Sequence, residues 1–222
     1  MDLLEVDLFA NLKHEAFKNI ADNVIIKKNR AKSIIVCEDQ LEEPALYILK
    51  SGTIVITKTD LNGYELSLSI KKPGDTFGFL SIIDGEPRNG KAICLTDCEC
   101  WVLGSTILKE LFMYNSTFNL NLIKIYADFI RSSDRFHYSM VGKTAQKKTI
   151  FQLLKIGNVS DDVNITIINS YLTRNIISSF AGISRETVSR EINKLKAMGI
   201  ITIKNKKTLC VQIDRAQHLL EA

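Results

Sequence analysis

The chain has 222 residues, 45% hydrophobic and 24% charged, with 11 glycines and 3 prolines, which suits one large domain or two ordinary ones and excludes a disordered or fibrous chain. The net charge of +4 is modest, but residues 144 to 222 carry 12 Lys/Arg against 6 Asp/Glu, while residues 1 to 143 carry 17 against 19. A basic segment on a near-neutral body suits a phosphate-backbone binder, and equally an ordinary solvated surface.

No apolar run approaches the roughly 20 residues of a bilayer crossing; Val24-Ile25-Ile26 and Gly199-Ile200-Ile201 are among the longest. The start, Met1-Asp2-Leu3-Leu4-Glu5, is acidic and lacks the layout of a signal peptide, so a cytoplasmic location is expected, with no membrane partner. In that reducing compartment the five cysteines, at 37, 94, 98, 100 and 210, are read as free thiols.

Leu8, Phe9, Leu12 and Phe17 recur at helical spacing and predict a short helix. Short runs rich in β-branched and aromatic residues follow at 24–27, 33–37, 46–50, 53–59, 64–70 and 92–103. Ser51-Gly52 and Asn62-Gly63 read as hairpin turns, because Asn-Gly favours positive φ at both turn positions. Regularly spaced short strands of this kind imply an antiparallel roll over 1–115, a shape able to enclose a small ligand.

From about residue 105 the pattern is helical. Ser116 is a candidate cap for a central helix over 116–141. Within it Leu122, Tyr126, Phe129, Ser133, Phe136 and Met140 follow at steps of four, three, four, three and four, a heptad seam. A helix packed on its own domain is the alternative; a length of roughly 37 Å favours a parallel two-helix contact with a second copy.

Residues 142–222 begin with a hinge at Val141-Gly142-Lys143-Thr144, an amphipathic helix over 148–155 and a strand over 164–168. Thr173 and Ser184 are both good N-caps, and Gly182 lies where the chain must turn between two helices, the spacing of a helix-turn-helix. On the second helix Val188, Ile192 and Leu195 fall within an arc of roughly 60°, while Arg185, Glu186, Ser189, Arg190 and Asn193 occupy a separate arc of roughly 140°. Arginine can offer two donors to guanine O6 and N7, glutamate can accept from cytosine N4, and serine suits either. Two further runs, 200–203 and 208–213, form a hairpin around Lys204-Asn205-Lys206-Lys207, the wing of a winged helix or simply a soluble charged turn.

Gly182-Ile-Ser-Arg-Glu-Thr-Val-Ser-Arg190, with Leu195 and Gly199-Ile200, resembles the recognition helix of the Crp/Fnr family of bacterial transcription regulators. The segments Asp7–Leu12, Leu46–Gly52 and Pro73-Gly-Asp75 with Gly78 are similar to that family's cyclic-nucleotide-binding-type β-roll. The resemblance spans nearly the whole chain. It implies an α+β protein: an N-terminal jelly roll, a long dimerisation helix and a C-terminal winged helix-turn-helix. Its function would be that of a homodimeric regulator of transcription, bound to a roughly palindromic operator on double-stranded DNA. It assigns base reading to Arg185, Glu186, Ser189 and Arg190, and phosphate contacts to Thr173, Arg174, Ser184, Thr187 and, at the wing, Lys206. RNA polymerase is the partner that an activating role would add.

The implied effector pocket comprises Gly78, Phe79, Arg88, Asn89 and Ser133. Cyclic-nucleotide-responsive members carry Gly-Glu where this chain has Gly78-Phe79, and Arg-Ser or Arg-Thr where it has Arg88-Asn89. Phenylalanine cannot accept a hydrogen bond from a sugar, so cyclic AMP is not the expected effector; a cyclic-nucleotide-responsive or a redox-responsive regulator are the alternatives. Cys94, Cys98 and Cys100, at even spacings on one extended strand, would share a face as buried core residues or as a thiol switch. No cofactor and no metal are expected, and no enzyme: the strand region lacks the histidines of a cupin centre, and neither a Walker loop nor a nucleophile elbow occurs. A ligand-binding dimer without DNA activity is the remaining alternative.

Overall fold

The computed structural model describes residues 2–38, 44–160, 164–204 and 208–221, with Ser139 described by its backbone alone. Two compact units divide the chain, Met1–Ser132 and Ser133–Ala222. The boundary falls inside the long helix, so residues 116–132 belong with the roll instead of forming a separate segment.

In the first unit the opening apolar residues fold as two 3-10 turns, Leu3–Glu5 and Asp7–Phe9, before helix α1 (His14–Asn23). The expected single helix through Leu8 and Phe17 is broken at Asn11, whose φ is 59°. Among the described residues eight strands follow: β1 (Ile25–Asn29), β2 (Ile34–Val36), β3 (Ala45–Ser51), β4 (Ile54–Thr59), β5 (Glu65–Lys71), β6 (Thr76–Phe77), β7 (Lys91–Cys94) and β8 (Cys98–Gly104). They pair antiparallel as two sheets, ordered β1-β8-β3-β6 and β2-β7-β4-β5. A short helix α2 (Leu80–Ile83) lies between β6 and β7, and α3 (Ser105–Tyr114) and α4 (Ser116–Met140) complete the unit and lead out of it.

Period-two alternation builds two cores. On β3 and β8, Leu46, Ile48, Trp101 and Leu103 face a cluster that includes Leu8, Phe9, Leu108, Phe118 and Leu122 from the helices. Their neighbours Tyr47, Leu49, Cys98, Cys100 and Val102 face inward and meet Val36, Ile54 and Ala92 of the other sheet.

The structure corrects four local expectations. Ser51-Gly52 joins β3 to β4, which lie in different sheets, so it is a corner and not a hairpin turn. Gly52 has φ of 96°, and a Cβ there would come within 2.4 Å of the Asp97 carbonyl and 2.6 Å of Cys98 Sγ. Asn62-Gly63 does lie between paired strands, but in a longer loop organised by Asp60, whose Oδ1 accepts from the amides of Asn62 and Tyr64. The run 92–103 is interrupted at residues 95–97, so Cys94 and the pair Cys98 and Cys100 lie on strands of different sheets. Helix α4 is entered by Asn115, whose Oδ1 accepts from the Phe118 amide at 2.9 Å; Ser116 is already helical.

In the second unit, Gly142 (φ 67°) ends the long helix and Thr144 caps α5 (Ala145–Ile156). Helices α6 (Arg174–Ala181) and α7 (Arg185–Ala197) pack on α5. A four-stranded sheet in the order β11-β12-β10-β9 comprises β9 (Asn158–Val159), β10 (Ile165–Ile168), β11 (Ile201–Lys204) and β12 (Thr208–Gln212). A last helix, α8 (Ile213–Glu221), packs on α5 and was not signalled by the sequence reading.

Candidate functional site

The turn between α6 and α7 is built from three local devices. Thr173 Oγ1 accepts from the Ile176 amide, Gly182 adopts the left-handed conformation (φ 61°), and Ser184 Oγ accepts from the Thr187 amide at 3.1 Å. The Gly182 and Ile183 amides both return to the Ser178 carbonyl, closing the α6 end. Gly182 needs its backbone, not space: a Cβ there would meet nothing within 4 Å.

Helix α7 then divides as its wheel predicts. Val188, Ile192 and Leu195 are fully buried, and Arg185, Glu186 and Arg190 are exposed, with Ser189 half-buried on the same side. Thr173, Arg174 and Ser184 are exposed near the start of their helices, and Thr187 shares a hydroxyl contact with Ser184 at 3.0 Å. Lys206 lies outside the described residues; the strands that flank it, β11 and β12, pair antiparallel from Lys204↔Thr208 to Ile201↔Val211.

The charges on this face are set by their surroundings. Its own amide, then the Ser184 hydroxyl and the Arg185 charge, hold the Glu186 carboxyl below its ordinary value, so it is ionised at the helix N-terminus. An ionised carboxylate repels a phosphate backbone, which leaves base amines as its compatible nucleic-acid partner. Sequence reasoning missed Glu191, which is 4% exposed and sits between two cations: Arg190 Nε at 3.4 Å and Lys194 Nζ at 3.0 Å. Its position beside the core stripe was legible; its pairing with Arg190 emerges only in the folded chain.

In the first unit, Gly78, Phe79, Arg88 and Asn89 line a cavity of about 200 Å³, together with Lys71 of β5 and Ile125, Tyr126 and Phe129 of α4. Ser133 is not among its lining residues. Gly78 has φ of 87°, and a Cβ there would meet the Ala45 carbonyl at 2.8 Å and Arg88 Nη1 at 2.9 Å. Arg88, 5% exposed, donates to the Gly78 carbonyl at 3.1 Å and lies over the Tyr47 ring. Asn89 is exposed and accepts from Lys58. Phe79 is buried edge-on against Tyr126, with ring centroids 5.2 Å apart.

Several residues of the expected seam on α4 are engaged within the chain. Leu122 is buried in the core of the roll and Tyr126 is half-buried against it. Phe136 lies tilted against Phe151 and under Lys155, and Met140 Sδ accepts from Gln152, all within the second unit. Phe129 remains 56% exposed. A neighbouring stripe is open instead: Leu120, Ile123 and Ile130 are each more than half exposed, and with the half-buried Ala127 they step by three, four and three. Two apolar stripes lie side by side, and periodicity alone does not say which one the domain keeps for itself.

Cys94, Cys98 and Cys100 are buried together between the two sheets, and Cys98 Sγ donates to the carbonyls of Thr53 and Thr96. Burial pushes the Cys94 thiol up to about 11 and Cys100 to about 12, which suppresses the thiolate that redox chemistry uses. Among the described residues no group of three or more His, Cys, Asp or Glu is placed to hold a metal ion, and no helix is long and apolar enough to cross a membrane.

Comparison with known proteins finds a cyclic nucleotide-binding domain over residues 26–115 and a Crp-like helix-turn-helix domain over 149–221. The chain is 28% identical to the cyclic AMP receptor protein of Thermus thermophilus over 159 residues, 72% of this chain and 71% of that one. It is 25% identical to the anaerobic regulatory protein of Bacillus subtilis over 206 residues, 91% of this chain and 82% of that one. The solved structure of FixK2 from Bradyrhizobium japonicum superposes with a TM-score of 0.76 at 20% identity, covering 88% of this chain and 96% of that one, a likeness of fold. Two capped helices presenting a cationic face, a jelly roll ahead of them, and both domain matches in that order lead to one conclusion: the chain belongs to the Crp/Fnr family, and is a DNA-binding transcription regulator with a cyclic-nucleotide-binding-like sensor domain.

Proposed function

We propose that the protein acts in the cytoplasm as a homodimer on a roughly palindromic operator, reading each half-site with Arg185, Glu186, Ser189 and Arg190, and that it does not respond to cyclic AMP. The observation that carries this reading is the division of α7: Val188, Ile192 and Leu195 are fully buried, which leaves two guanidinium groups and an ionised carboxylate directed outward from one short rod. Thr173, Arg174, Ser184, Thr187 and Lys206 take the phosphates on either side and set the register. The two copies meet along α4 through Ile123, Ala127 and Ile130, flanked by Leu120. RNA polymerase is the further partner of an activating role.

Selection of bound duplexes from a random pool tests the DNA half of the proposal. The expected product is a twofold-symmetric sequence whose half-sites lie about 10 base pairs apart, one helical turn. An asymmetric single half-site, or no enrichment, rejects the dimeric reading.

The effector half is tested by thermal unfolding. The Cyclic AMP receptor protein of Thermus is named for a ligand that this chain lacks the acceptor to hold, because Phe79 offers no lone pair and its ring is packed against Tyr126. Millimolar cyclic AMP should leave the melting temperature unchanged. A ligand that bound with a dissociation constant a hundredfold lower than its concentration would add about 2.7 kcal/mol, a shift of several degrees, and such a shift would overturn the assignment.

A further inference from the structure

The cavity of the roll holds a charge imbalance. Arg88 is 5% exposed, and its described contacts are the Gly78 carbonyl and the Tyr47 ring; no described carboxylate pairs with it. Lys71 lines the same cavity from β5. Burial holds its amine below the ordinary lysine value, with Asp75 pulling the other way. Among the described residues that line the cavity there is no Asp or Glu. Most of the remaining wall is apolar: Val36, Ile56, Leu68, Phe77, Phe79 and Ile125. Tyr126 adds a buried hydroxyl with no hydrogen-bond partner among the described residues. A buried cation is costly unless it is paired; Arg88 is one, and the half-buried Lys71 and an unused donor line the same small apolar space.

The size of that space limits what fills it. An engineered cavity of about 150 Å³ accommodates benzene, and this one measures about 200 Å³. That is room for one ring and one small polar group, below the range of about 300 Å³ upward typical of drug-sized ligands.

We propose that the cavity binds a compact organic acid, an apolar body no larger than a single ring bearing one anionic group, whose charge is shared by Arg88 and Lys71 while its ring packs against Phe79 and Tyr126. The inference rests on the reading of the roll as the sensor domain. It differs from a cyclic-nucleotide site in two features of this chain: a phenylalanine replaces the sugar acceptor, and a second cation enters from β5. Because Tyr126, Ile125 and Phe129 stand on α4, a bound acid touches the helix that carries the proposed dimer contact.

Isothermal titration of the full-length protein tests the proposal with benzoate, phenylacetate and phenyl phosphate, each against a neutral counterpart, namely benzamide, phenylacetamide and benzyl alcohol. At least one acid should bind about tenfold more tightly than its counterpart, as a charge-assisted contact predicts. Lys71→Met should weaken that acid by about tenfold and Lys71→Arg should restore it, with Lys71→Gln replacing the methionine variant if the fold is disturbed. Acids that bind no better than their neutral counterparts, or Lys71 variants that bind as the parent does, overturn the proposal. The selected operator duplex is titrated in the same preparation without acid. DNA binding with no preference for acids rejects the ligand class alone, whereas failure to bind any duplex rejects the regulator reading beneath it.

Discussion

Ile192→Ala should destabilise the second unit by about 2–5 kcal/mol. Ile192 is fully buried on α7 between Val188 and Leu195, and α7 packs on both α5 and α6. Truncation removes three carbons from a site whose walls are helices fixed by their own caps at Thr144, Thr173 and Ser184, so collapse into the void is limited. Ile192→Val, which removes one methyl group, should cost about 0.5–1.5 kcal/mol. Denaturant midpoints measured by circular dichroism check the pair. A loss below 1 kcal/mol for alanine would mean that α7 is not anchored by this face, and with it would fall the argument that the opposite face is aimed outward.

The second large effect concerns discrimination between bases. Arg185→Ala should remove about 1–3 kcal/mol of preference at one base pair, roughly a 5- to 150-fold loss, while binding to unrelated duplexes changes little. Arg185 is exposed in the first turn of α7, and the interaction it loses on truncation is the attraction of its charge for the neighbouring exposed Glu186, so its removal leaves the core untouched. Arg190→Ala should relax a different base pair by a similar amount, but its interpretation needs a control, because Arg190 Nε lies 3.4 Å from the buried Glu191 carboxylate. Glu191 keeps Lys194 as a partner when Arg190 is removed, and an unchanged denaturant midpoint shows that the loss is one of recognition. Competition binding against duplexes altered at single positions supplies the measurement. An operator preference identical to the parent's would remove Arg185 and Arg190 from the reader set.

Local chemistry made the second unit legible in the sequence. Thr173, Gly182 and Ser184 each act within a few residues of themselves, so their types and spacing carry the geometry of the turn, and the wheel of α7 follows from 3.6 residues per turn. What the sequence hid is what depends on distant partners. Ser51-Gly52 and the run 92–103 look like continuous antiparallel pairing, yet at each the chain changes sheets, a decision made by packing between strands far apart in sequence. The heptad on α4 was legible, but not that Leu122 and Tyr126 serve the roll while Ile123 and Ile130 stay open, because both stripes satisfy the same period. Helix α8 and the partners of Glu191 and Arg88 were invisible for the same reason. Phe79 was legible as a missing acceptor, but its contact with Tyr126 and the presence of Lys71 beside it required the folded chain.

Two glycines of the roll that look alike on paper differ in what they permit. At Gly52 the corner lies against Asp97 and Cys98 of the other sheet-changing segment, so any side chain wedges the crossing open. At Gly63 an added Cβ finds nothing within 4 Å, in a loop held together by Asp60. A fluorophore or short peptide tag grafted beside Gly63 therefore reports on the sensor unit without loading its frame, whereas the same graft at Gly52 would split it.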